Sequence, residues 1–416
     1  MKFDTVIIGG GLSGLICGLR LQRKGRNCAI VSAGQNAMHF FSGGFGLLSR
    51  MPDGTPVDSP LDAVEGLPAE HPYRKIGKEN VSAYANEVIP MFESCGIKLR
   101  GNAGKNGWMI SASGQPKRTW LTVDDIDIFE TKQCKPGDNI LIINIEGFLD
   151  FNTSFIAEAL EKSGAKCRVA SVSTDDTKAL RKNPSEMRSS NIAKMMSRKE
   201  ARERFIAEVN KIAQENDTVI LPAVFGLKEA EEMEDVRKSV NGKVAFVGTL
   251  PPSVPGVRIQ MKLKNAFEEA GGVFLMGDQV NGIDVKEGKV ISVSTSNLED
   301  IKLEADTFVL ASGSYFGHGL VAGRDNVSET VFDLDVDCVQ DRNNWYNPDF
   351  FKSQAYISFG VVTDDDLKGI KNGEVIDNLY VAGSVLGGFN PLYEGSGAGI
   401  AIMTAMYISD KISRRK

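Results

Sequence analysis

Apolar runs punctuated by glycine dominate the two ends of the chain and thin out in its middle. Phe3 to Ile8 is a short apolar run of buried-strand type, Leu15 to Lys24 repeats apolar positions at helical spacing, and Cys28 to Val31 is a second buried strand. Ala305 to Leu310 predicts a strand that runs into the small-residue turn Ala311 to Ser314. From Leu379 another strand passes through a glycine-rich turn into a helix beginning near Gly397. Between these ends the pattern changes. Strands are expected at Asn139 to Ile145, Asp217 to Pro222 and Lys243 to Val247, with a helix from Thr153 to Lys162. Ser197 to Gln214 is a charged amphipathic helix, read as a solvated face. Pro251, Pro252 and Pro255 make Thr249 to Arg258 a rigid re-entry segment ahead of a helix at Ile259 to Ala270 and a further strand. The alternation of strand and helix predicts an α/β fold. Its glycine-turn pattern belongs to residues 1–65 and 256–416, a discontinuous domain interrupted by an insert at 66–255.

Composition narrows the function classes. The 416 residues are 42% hydrophobic and 25% charged, ordinary values for a soluble globular chain. A formal net charge of -6 argues against nucleic acid as the main partner. No apolar run reaches membrane-spanning length, and a strand opens the chain where a targeting segment would stand. The six cysteines lie far apart with no CxxC, a pattern of reduced thiols without a local iron–sulfur or zinc ligand set. No metal site is expected.

The candidate chemistry begins at Gly9-Gly10-Gly11-Leu12-Ser13-Gly14, a GxGxxG between strand and helix in a βαβ unit. Gly9 allows the tight turn, Gly11 lets the backbone approach a phosphate, and Gly14 lets helix and strand pack closely. The helix N-terminus then offers N–H groups and a positive dipole end to an anion. One departure stands out. The second strand ends Ile30-Val31-Ser32-Ala33-Gly34-Gln35, without the acidic residue that holds an adenosine ribose. Phosphate is provided for; adenosine is not. Next, Ser42, Gly43 and Gly44 suit a loop laid against a flat cofactor ring, or an ordinary glycine loop. His39, beside three phenylalanines, is a proton carrier or a packed structural residue. Six glycines between Gly383 and Gly399 imply a backbone lying very close to something, because glycine in a helix costs about 1 kcal/mol relative to alanine.

In order, GxGxxG, SGG, AD-x-VLASG, FGV-x-TD and LYVAGS-x-x-GG resemble the flavin domain of fumarate-reductase-like flavoproteins. The resemblance implies a Rossmann-like flavin-binding domain with an inserted cap or substrate domain. It makes Gly313, Gly383, Ser384 and Gly397 part of the flavin seat, with Ser384 where that family usually has an acidic residue. The stretches MKFDTVIIGGGLSGL, MHFFSGG, IEGFLDF, EMRSSNIAK, TLPPSVPGVR and LYVAGSVLGGFNP carry a closer resemblance over essentially the whole chain. It is to the B subunit family of the anaerobic glycerol-3-phosphate dehydrogenases. That resemblance implies oxidation of sn-glycerol 3-phosphate to dihydroxyacetone phosphate, with FMN on this chain and FAD the alternative. It also implies a second flavoprotein subunit and an iron–sulfur subunit that passes electrons to quinone. The chain is then expected in the cytoplasm, held at the inner face of the membrane through its partner. His39, Tyr393 and Glu394 are the candidate bases; Arg258, Arg188 and Arg324 are candidates for the substrate phosphate. Arg258 is equally suited to a domain-interface salt bridge. A self-contained flavoenzyme, or a flavin-carrying or vestigial subunit whose partner does the chemistry, remains open at this point.

Overall fold

The computed structural model describes residues 1–34, 36–228 and 231–414. Strand β1 (Lys2–Ile8), helix α1 (Leu12–Arg23) and strand β2 (Cys28–Ser32) form the first βαβ unit. β1 lies parallel between β2 and the strand Leu303–Leu310, pairing Ile8 with Val31 on one side and with Leu310 on the other. The sheet has eight strands; Val273–Met276 extends it beyond β2, and Glu374–Val381 runs parallel to Leu303–Leu310. Val6 to Ile8, Cys28 to Val31 and Phe308 to Leu310 are buried without alternation, so these strands are covered on both faces and read as continuous apolar runs.

α1 packs against the helices Val254–Glu269 and Gly397–Arg414. The C-terminal helix buries Ile400, Ile402, Met403, Met406 and Ile408, an apolar surface that goes well round its axis, as expected for a helix enclosed by protein. The helices Pro72–Ile76 and Lys78–Glu93 cover its other side. A four-stranded all-parallel sheet lies wholly within 66–255, ordered Lys243–Val247, Thr218–Pro222, Asn139–Ile145, Lys166–Val172. The architecture is therefore α/β, a Rossmann-like domain carrying an inserted α/β unit.

The re-entry segment differs from the sequence expectation. Its helix begins at Val254, five residues before Ile259, because Ser253 accepts a hydrogen bond from the Gly256 N–H and Pro255 suits a first turn. Arg258 accordingly stands on a helix. The small strand Gly44–Phe45 pairs with Leu121–Val123, joining the loop after β2 to the middle of the chain.

Candidate flavin and active site

The parallel strands end together, at the edge where open α/β sheets bind ligands. Gly9 N–H donates to Val31 O, Ala311 N–H to Ile8 O and Ala382 N–H to Leu310 O, so the loops after four strands stand side by side at one sheet edge, the candidate crevice. The glycines in these loops separate into two kinds. A β-carbon on Gly14 would lie 1.9 Å from Gly9 O, and one on Gly9 would lie 2.1 Å from Ala311 O. Both are required by the fold itself. Gly11 is different: its φ is -82°, which any residue adopts, and the nearest atom to an added β-carbon is 3.9 Å away. Nothing among the described residues demands glycine there. Gly11 opens α1, and no side chain among the described residues caps that helix, so its first-turn N–H groups are available to an anion. Polar atoms on the loops after β2 and after Leu303–Leu310 also lack partners among the described residues: His39 Nδ1, Ser312 Oγ and Tyr315 Oη are buried with none. Buried polar groups are nearly always satisfied, so these donors and acceptors fit a bound polar group.

The other expected cofactor residues take varied positions. Ser32 is buried against the Gly10 backbone, where an added β-carbon would meet its Oγ at 2.4 Å, and Gln35 lies outside the described residues. Asn36 instead reaches the turn, donating from Nδ2 to Gly10 O at 3.0 Å. Gly43 and Gly44 fit against protein: added β-carbons would meet the Ile126 side chain at 2.6 Å and Met109 Sδ at 2.4 Å. Ser42 accepts a hydrogen bond from Lys117 Nζ at 2.9 Å. Gly313, with φ of 85°, faces Ser384 across a gap. Gly383 lies tight against Ser13, and Gly397 starts the C-terminal helix near Pro391. The glycines of the C-terminal run therefore serve close backbone packing, as at Gly399, where a β-carbon would lie 2.3 Å from Tyr73 Oη.

The expected catalytic residues do not gather in one place. Arg258 is buried, its guanidinium paired with Asp125 and donating to the carbonyls of Phe225 and Gly226. It is a salt bridge between the re-entry helix and the inserted stretch, so its charge is already engaged within the protein. Glu394 is buried as well. Its carboxylate accepts from Asn390 N–H (2.9 Å) and Ser396 Oγ (3.0 Å), and meets His71 Nε2 at 3.2 Å. His71 Nδ1 accepts from Tyr73 N–H, which places the imidazole proton on Nε2, donating to Glu394. The dyad pins the turn before the C-terminal helix. Tyr393 stacks under Arg50, whose guanidinium is 5.0 Å from the ring centroid. Arg188 pairs with Asp150, and Arg324 lies on an exposed turn. His39 sits half-buried on the loop after β2, with its carbonyl accepting from Ser253 N–H.

Comparison with known proteins gives the family of the chain. A family model described as an FAD binding domain matches residues 4–400. The B subunit of the anaerobic glycerol-3-phosphate dehydrogenase of Yersinia enterocolitica is 39% identical, over 99% of this chain and 98% of the relative. The corresponding B subunits of Pectobacterium atrosepticum (40%, covering 99% of each chain) and Actinobacillus pleuropneumoniae (35%, covering 100% of each) agree. The chain belongs to the B subunit family of the anaerobic glycerol-3-phosphate dehydrogenases. It is a flavin-dependent oxidoreductase of that family. Among solved structures it is similar to a 3-ketosteroid Δ1-dehydrogenase from Sterolibacterium denitrificans, at TM-score 0.46 and 9% identity over the whole of both chains.

Within this family frame, the crevice residues fit a flavin. Gly11 and the open first turn of α1 suit its phosphate, and the unpartnered His39, Ser312 and Tyr315 atoms suit polar edges of a ring or substrate. Tyr315, Asn36 and Lys117 carry no signal of their own in the sequence pattern, and only their contacts or unpartnered atoms on these loops mark them. Ser312 lies in the AD-x-VLASG stretch that carries the flavin-domain resemblance.

Proposed function

We propose that this chain binds FMN at the Gly9–Gly14 turn and serves in the oxidation of sn-glycerol 3-phosphate to dihydroxyacetone phosphate. Electrons then leave through a second flavoprotein subunit and an iron–sulfur subunit that reaches membrane quinone. The observation that carries the reading is Gly11, an unforced glycine at an uncapped helix N-terminus. Relatives that match the full chain are named as one subunit of a larger enzyme, which supports the dependence on partners. FMN rather than FAD follows from the β2 end: Ser32 is packed on Gly10 and offers no bidentate acceptor to a ribose.

When bound, a flavin supplies the acceptor for the hydride leaving the secondary alcohol carbon. The chain's own task is to orient that alcohol and take its hydroxyl proton. His39 suits the second role, since its Nδ1 is free of protein partners among the described residues and it stands on the crevice loop. Glu394 is tied to His71, Asn390 and Ser396, which leaves it a structural anchor. The test is anaerobic mixing of the purified flavoprotein with glycerol 3-phosphate, alone and with its partner subunits. Bleaching of the flavin is expected, with His39→Gln slowing it at least tenfold while flavin content is unchanged. A chain that carries flavin but never bleaches, even with partners and substrate present, contradicts the proposal.

A further inference from the structure

The hairpin Gly107–Ile110/Pro116–Thr119 brings a cation to the crevice loop that the sequence pattern does not announce. Lys117 is paired across this hairpin with Met109, and cross-strand partners share a face. Met109 Sδ lies against Gly44, so Lys117 faces the same loop, and its Nζ donates to Ser42 Oγ at 2.9 Å. Among the described residues no carboxylate lies within ion-pair distance of this ammonium. Arg258, Arg188 and most other cations near the junction are already paired, as Arg100 is with Asp124 and Asp127. Solvent reaches the Lys117 side chain, yet surrounding protein desolvates the ammonium enough to lower its pKa. An ammonium that donates to a hydroxyl and meets no carboxylate among the described residues keeps its charge available to an anion. On the same loop, His39 Nδ1 is buried with no partner among the described residues. Gly248, following the edge strand of the inserted sheet, closes the other side of the loop, with Ser42 O 3.1 Å from where its β-carbon would be.

We propose that Lys117 and Ser42 form an anion subsite, the place where the phosphate of a phosphate-monoester substrate is held beside His39. The subsite deepens the reading above and rests on it, since it makes the inserted hairpin a specificity element for the crevice of the Rossmann-like domain. Lys117 supplies charge and one or more donors, and Ser42 supplies a hydroxyl that turns from accepting the lysine to donating to a phosphate oxygen. A charged hydrogen bond of this kind contributes roughly ten- to hundredfold in affinity.

The test is calorimetric titration of the purified chain, alone and in complex with its partner subunits. The titrants are inorganic phosphate, glycerol 3-phosphate and glycerol, against wild type, Lys117→Met and Lys117→Arg. Wild type is expected to bind the two phosphates and to bind glycerol at least tenfold more weakly. Lys117→Met should weaken both phosphates about ten- to hundredfold, leave glycerol unaltered and retain its flavin, while Lys117→Arg recovers most of the affinity. Phosphate affinity that is equal in wild type and Lys117→Met overturns the inference, and so does a wild type that binds no phosphate. Either result leaves the flavin reading standing if the chain is yellow. A colourless wild type whose phosphate binding depends on Lys117 would instead overturn the flavin reading and keep the subsite.

Discussion

At the residue scale, glycines that look alike in sequence differ in what they answer to. Gly14 is required by Gly9 O and Gly11 by nothing among the described residues. Gly14→Ala is therefore expected to destabilise the chain by roughly 2–3 kcal/mol or to prevent folding, since overpacking a close backbone contact leaves no room to relax. Gly11→Ala should leave the melting temperature of the flavin-free chain unchanged or slightly raised, because alanine narrows the unfolded ensemble at a compatible φ. Thermal melts of the two apoproteins check the contrast; equal losses would contradict it. The GxGxxG motif was legible because its spacing and its strand–helix context are local. The glycines at 43, 44, 383 and 399 were legible as close approaches, but the partner turned out to be protein in each instance. Sequence states that a backbone comes close, and only the tertiary structure states to what.

At the element scale, the helices that enclose the crevice are fixed to one another by a partly buried charge cluster. Asp410 of the C-terminal helix accepts from Arg20 of α1 (3.0 Å), from Lys24 just after it (2.5 Å) and from Tyr84 Oη (3.2 Å). Burial raises the Asp410 pKa, but hydrogen bonds from Lys24 and Arg20 outweigh it and hold the carboxyl below its ordinary value. A depressed carboxyl stabilises the fold above its unfolded pKa, about 3.9, and loses that contribution as pH falls through the folded value. Asp410→Asn is expected to cost on the order of 2 kcal/mol at neutral pH. The gap to wild type should close as pH falls below about 4, measured by urea unfolding across pH. A gap that stays constant into acid would show that the charge is not the cause. The helices and strands themselves were largely legible, Thr153–Lys162 and Lys243–Val247 to the residue. The start of the re-entry helix was not, because three prolines read as a rigid segment ahead of a helix at Ile259, although Ser253 caps the helix among them.

At the scale of the whole molecule, the buried Arg258–Asp125 pair couples the inserted stretch to the Rossmann-like domain. Removing one partner of a buried pair strands the other charge at a cost of about 3–5 kcal/mol. Arg258→Ala is thus expected to lower stability by that order and to split thermal unfolding into two transitions, seen by calorimetry; a single unshifted transition would remove the coupling role. The sequence offered a domain-interface salt bridge for Arg258, which the structure forms, but neither its partner Asp125 nor the His71–Glu394 dyad was visible, since the members lie 133 and 323 residues apart. The same distance hid Lys117, which reaches Ser42 across 75 residues. Long-range placement is what decides whether a charged residue anchors the fold or serves a ligand, and local pattern carries no trace of it.

The central claim is that the Gly9–Gly14 turn holds the phosphate of an FMN. Acid release and chromatography of flavin from freshly purified wild type and from folded Gly11→Val tests it most directly. The account predicts stoichiometric FMN from the wild type and essentially none from the variant, whose added methyls fill the space at the helix N-terminus. Full flavin content in the folded variant, or stoichiometric FAD from the wild type, would contradict it.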